Sequence, residues 1–185
     1  MRSVRQGVLI MINDEKADIL QKLSYAASLL AGTIRQDLVP SGGAKLAYAR
    51  KGARDDTDIA CVRGGLCLES GCLDATEVGF GGGGMIATVL LTAMKFDPRI
   101  RSAAIIACTP AAVKTMNGRF FEICSFDPRK EPPGIRTMDW GVAQCCRDGV
   151  PDAIYSRRTG DTGAIIRLFG EDPQGIANNI LMLSV

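Results

Sequence analysis

The sequence predicts an α/β domain in which helices layer onto a sheet. Short apolar runs alternate with stretches of helical periodicity along the whole chain. Several connections between the runs are only two to six residues long, which favours antiparallel strand pairs. A length of 185 residues with 46% hydrophobic side chains suits one domain with a substantial core.

The elements follow in order. Asp14 to Leu30 places Ala17, Leu20, Leu23, Ala27 and Leu30 at steps of three and four. That predicts an amphipathic helix over 14–31, capped by Asn13 or Asp14 and stopped at Gly32, with 1–13 as an N-terminal extension. A Pro-Ser-Gly-Gly turn leads into a strand over Lys45–Ala49. Asp58–Cys61, Leu66–Cys72 and Thr76–Phe80 read as further strands, with a break at Gly64-Gly65. Four consecutive glycines then open a helix over Met85–Lys95. Ala103–Cys108 is a buried strand, and Thr109-Pro110 caps and starts a short helix. Phe120–Ser125, Asp152–Tyr155 and Ile165–Phe169 are strands. Asp139–Arg147 and Gln174–Leu183 are helices.

Composition excludes several function classes. The net charge of +2, from 22 basic and 20 acidic side chains, gives no field suited to nucleic acid. The longest apolar run, Met85 to Met94, is too short to span a bilayer, and the first residues show no cleavage-site pattern. Seven cysteines without a Cys-x-x-Cys pair predict buried, reduced thiols in a cytoplasmic protein. The chain has no histidine. That removes the Ser-His-Asp triad, the Cys–His pair and any His-based metal site, and no metal ligands are assigned.

Four segments carry candidate chemistry. In Gly79-Phe-Gly-Gly-Gly-Gly84, the amides of Gly81, Gly82, Gly83 and Gly84 at a helix N-terminus could cradle a phosphate; the alternative is a tight turn without ligand. Ser41, Gly42, Gly43 and Lys45 could form a second anion site, against a plain turn with a solvated lysine. Asp55, Asp56 and Asp58 read as a solvated loop before a strand rather than a cation site. Asp161 and Arg167, with Arg157 and Arg158 nearby, could meet a phosphate or pyrophosphate.

In this order, the segments LVPSGGAKLAYA, DIACVRGGL, EVGFGGGG and LLTAMKFDPRIRSAAII resemble the ThiN-type thiamine-phosphate synthase domain. SFDPRKEP, TMDWGV, GVPDAIYSR and IIRLFGEDP continue the resemblance, which covers Ile34 to Val185. It implies a three-layer α/β/α fold with a mixed, mainly antiparallel sheet, like that of class II aldolases. It also implies a pocket for thiamine phosphate or its precursors, the pyrimidine pyrophosphate and the thiazole phosphate. Joining these displaces pyrophosphate, chemistry that depends on cations and backbone dipoles around the leaving group. Magnesium would be expected only of a catalytic member.

The chain departs from the family at two positions. Synthases typically read Gly-Arg-Ile where Gly64-Gly65-Leu66 stands, and Phe-Gly-x-Ser-x-His where Phe80 to Met85 stands. The expected arginine thus falls on Gly65 and the histidine on Met85, with Arg63 as a substitute for the first. No confident catalytic residue remains. The expectation is a thiamine-phosphate sensor or carrier without synthase activity. The alternatives are a synthase using Arg63, Lys45 and Arg167, or an interaction module without ligand. Restoring Met85→His with Gly65→Arg is expected to return some synthase activity. Histidine-lacking members occur fused to DNA-binding modules, but Met1–Asn13 is too short for one, so direct nucleic-acid binding is not expected. A homodimer is compatible with the family.

Overall fold

A computed structural model describes residues 2–66, 77–119, 121–133, 138–156 and 163–184, with 2–13 as backbone alone. Among the described residues, seven strands form one sheet: β1 (Lys45–Ala49), β2 (Ile59–Val62), β3 (Val78–Phe80), β4 (Ser102–Ala107), β5 (Ile123–Phe126), β6 (Ala153–Ser156) and β7 (Ile165–Gly170). Their order is β3-β2-β1-β4-β7-β6-β5. Neighbours pair antiparallel except β5 and β6, which are parallel. The architecture is therefore the mixed, mainly antiparallel sheet expected.

Helices cover both faces. α1 (Arg2–Leu30), α3 (Pro110–Asn117) and α5 (Pro173–Leu183) lie on one; α2 (Met85–Met94) and α4 (Trp140–Cys145) lie on the other. The strands serve both layers by alternation. In β4, Ala104 and Ile106 enter the α1 side while Ala103 and Ile105 enter the α2 side. A strand covered on both faces must be apolar throughout, which is why this one reads as an uninterrupted run.

Several sequence expectations need correction. α1 starts at Arg2, so Asn13 and Asp14 are not its cap and 1–13 is not a separate extension. Nothing upstream stops it: the segment has no proline, and Gly7 alone costs about 1 kcal/mol. Its buried stripe is Ile19, Leu23, Ala26, Ala27 and Leu30, with Ala17 exposed. Cys124 of β5 and Cys145 of α4 form a disulfide, so these two thiols are not reduced. α4 packs on β5 and brings their Cα atoms to 5.8 Å, inside the range a disulfide spans. Cys61 and Cys146 are buried free thiols, and Cys108 is a partly exposed one. The strand expected over Leu66–Cys72 is described only at Leu66, which bridges Ala44; 67–72 lies outside the described residues. No described helix is long and apolar enough to cross a membrane.

Candidate functional site

The glycine run leaves edge strand β3 and turns into α2. Gly81 N–H donates to Ile59 O at 2.9 Å, and Gly81 and Gly82 both adopt positive φ. That conformation turns successive amides toward one point. The point is filled by a side chain of the protein itself. Gly82 N–H donates to Asp56 Oδ2 at 2.6 Å, and Gly83 N–H to Asp56 Oδ1 at 2.9 Å. Asp56 belongs to a 3-10 turn ahead of β2, where Asp55 caps Thr57 N–H and Asp58 accepts from Arg50 and Arg54 N–H. The acidic triplet is thus fully used in holding loops. Met85 opens α2 with 60% of its surface exposed, beside this turn.

The second candidate turn lies at the other end of β2. Pro40 O accepts Gly43 N–H at 2.8 Å, and Ala44 and Leu66 exchange backbone bonds of 2.9 and 2.7 Å. The bridge brings the Ser41-Gly42-Gly43 turn against Gly64-Gly65. Lys45 Nζ donates to Gly64 O at 3.4 Å. Gly65 has φ +81°, and a Cβ there would lie 2.8 Å from Lys45 Nζ and 3.0 Å from Ala44 O. An arginine at 65 would take a strained backbone and press on Ala44 O, with only the flexible Lys45 tip able to give way, which counts against the expected restoration at this position. Arg63 supplies the nearby guanidinium. It pairs with Glu77 at 3.6 Å and lies over Gly79, where a Cβ would come within 2.6 Å of it.

Between the two turns stands Cys61, whose thiol contacts Gly81 O at 3.6 Å. Burial pushes this thiol up; Asp56 adds to the shift, and Arg63 and Lys45 oppose it. Both candidate turns thus act on one residue. β2 rises three steps of about 3.3 Å, so roughly 10 Å separates them.

Arg167 joins the same face by strand register. Lys45 pairs with Ile105, and Ile105 with Arg167; registered partners project to one side of the sheet. Arg167 is only 7% exposed. Its Nη2 donates to Asp139 Oδ2 at 3.1 Å, and its guanidinium lies 5.2 Å from the Phe126 ring centroid. Among the described residues, Nε and Nη1 have no hydrogen-bond partner. Asp139 itself caps α4 through Val142 N–H, while its own N–H donates to Thr92 Oγ1 at 3.0 Å. Sequence reasoning missed Asp139 and Thr92; a capping aspartate ahead of a short helix was their only signal. Asp161, Arg157 and Arg158 lie outside the described residues.

Among the described residues no cluster of His, Cys, Asp or Glu side chains is arranged to hold a metal ion. On the opposite face, a cavity of about 700 Å³ lies under α3 between Cys108, Val113, Lys114 and Tyr155. None of the predicted residues that are described lines it.

The profile of the thiamine-phosphate synthase ThiN family matches residues 22–182. The bifunctional thiamine biosynthesis protein ThiDN of Methanocaldococcus jannaschii is 33% identical over 165 residues, 87% of this chain. The chain spans 39% of that relative's length. Among solved structures, the C-terminal domain of protein MJ0236 superposes with a TM-score of 0.78 at 29% identity, covering 91% of this chain and 94% of that one. The C-terminal domain of phosphomethylpyrimidine kinase gives 0.79 at 26% identity, covering 91% and 100%. L-fuculose-1-phosphate aldolase from Thermus thermophilus shares the fold, with a TM-score of 0.53 at 12% identity over 91% and 92%.

Proposed function

The chain belongs to the thiamine-phosphate synthase ThiN family, and from that premise we propose that it binds thiamine phosphate, or a phosphorylated precursor, without forming it. The observation that carries the reading is Arg167, a buried guanidinium with two nitrogens unpartnered among the described residues, in one cross-sheet row with Lys45. A buried cation with unfilled donors is costly, and the anionic oxygens of a phosphate would fill them. Lys45 and Arg63 would give the ligand further cations on the same face.

Non-catalysis is supported at the other end of β2. The chain has no histidine, and Met85 presents a thioether where the family pattern has an imidazole. The Gly82 and Gly83 amides are already committed to a carboxylate. A leaving pyrophosphate would meet an anion there instead of free donors. The domain then acts as a sensor or carrier of thiamine phosphate.

One observation favours the second reading, an active synthase. Arg63, Lys45 and Arg167 share the α2 face and together could neutralise a leaving pyrophosphate. The two readings separate in one assay. Purified protein is supplied with both precursors, and thiamine phosphate is quantified. The sensor reading expects no turnover above the uncatalysed rate, while binding of thiamine phosphate is retained. Sustained multiple turnover would establish the synthase.

A further inference from the structure

Helix α4 has six residues, too few to be stable without tertiary ties. It is tied at both ends. At its start, Asp139 joins α2 through Thr92 Oγ1 and joins the sheet through Arg167. At its end, Cys145 is bonded to Cys124 of β5. Between the ties α4 sits directly on Phe126. A Cβ on Gly141 would run into that ring, and the Trp140 ring packs edge-on to it at 6.0 Å. Phe126 in turn carries the Arg167 guanidinium. α4 with its cap is therefore the roof that keeps Arg167 buried. Cys124 and Cys145 are both partly exposed, so a reductant can reach the bond that holds the roof.

We infer that the Cys124–Cys145 disulfide is a redox latch on α4 that controls access of anionic ligands to Arg167. This rests on the reading of the α2 face as the ligand site. In the oxidised protein α4 is clamped and Arg167 is closed off. The reductant is a dithiol, small or carried by a protein. One of its thiolates attacks a sulfur of the bond and releases the other cysteine as a thiolate, which takes a proton. Its second thiolate then displaces the remaining cysteine from the mixed disulfide. The dithiol leaves as a disulfide, and the two cysteines gain two electrons and two protons. α4 then keeps its Asp139 end and its packing on Phe126 but loses its covalent tie, so opening of the roof becomes easier.

Trp140 is the single tryptophan and lies in α4, so its fluorescence reports this helix. Oxidised protein, dithiothreitol-treated protein and a Cys145→Ser variant are compared by acrylamide quenching and by thiamine phosphate titration, with circular dichroism confirming the fold of each. Cys108→Ser serves as a control that retains the bridge. Reduction and Cys145→Ser should each raise quenching roughly twofold or more, and should tighten thiamine phosphate binding about tenfold. Cys108→Ser should still respond to dithiothreitol. Unchanged quenching after complete reduction would overturn the latch. Raised quenching with equal affinity in both states would overturn its control of the site. Raised quenching with no thiamine phosphate binding in either state would support the latch on α4 and reject the ligand reading.

Discussion

Asp56 shows what a single residue decides at this site. Its carboxylate collects the Gly82 and Gly83 N–H groups from 26 and 27 residues away. Asp56→Ala leaves both donors without that acceptor and should cost about 1–2 kcal/mol, read as a shift in the urea midpoint. Gly83→Val should cost a similar amount, because a Cβ there meets Asp56 Oδ1 at 3.0 Å and Ala87 Cβ at 2.9 Å. Gly65→Arg should be far more damaging, at about 2–4 kcal/mol, since it combines positive φ with a blocked Cβ. Met85→His should change stability by less than about 0.5 kcal/mol, because Met85 is mostly solvent-exposed. The glycine run was legible as a convergence of amides. Its occupant was not, because an aspartate in a polar loop looks the same in sequence whether it faces water or a distant turn. Arg167 was legible as a cation but not as a buried one, since the groups packed on it, Asp139 and Phe126, come from distant segments.

At the scale of elements, strand positions were legible because both sheet faces are covered and each strand is almost wholly apolar. The start of α1 was not, because a polar cluster such as Asn13-Asp14-Glu15 marks a helix cap and a solvated helix face equally well. Glu15 lies within the helix and anchors it to the sheet. It accepts from Arg50 Nε at 3.3 Å, Lys51 N–H at 3.0 Å and Arg101 Nη2 at 3.5 Å. Glu15→Ala should therefore lower stability by about 1–2 kcal/mol in denaturant, more than an isolated surface pair would. α4 gives a pH prediction. Burial, with Asp139 adding to it, pushes the Cys146 thiol up to about 11. The folded state then keeps a proton that the unfolded chain releases. That contribution is complete below an ordinary thiol value near 9 and is lost as pH rises toward 11. Thermal stability should fall across that window, and Cys146→Ala should flatten the fall.

For the whole molecule, the alternation of apolar runs and short connections was enough to give layered α/β architecture. Strand order was not legible from pattern, because the β4–β7 pairing joins segments separated by two helices and two strands. That pairing matters most for function. It carries Arg167 into the row that starts at Lys45, and so unites cations from distant segments on one face. The central claim is that this face binds thiamine phosphate through Arg167. Its most direct test is calorimetric titration of thiamine phosphate into dithiol-treated wild type and into Arg167→Met, a variant that keeps bulk while removing charge. The account predicts saturable binding by the wild type and a loss of about tenfold or more in the variant, with circular dichroism unchanged. Absence of heat from folded wild type at millimolar ligand, or equal affinity in the two proteins, would contradict it.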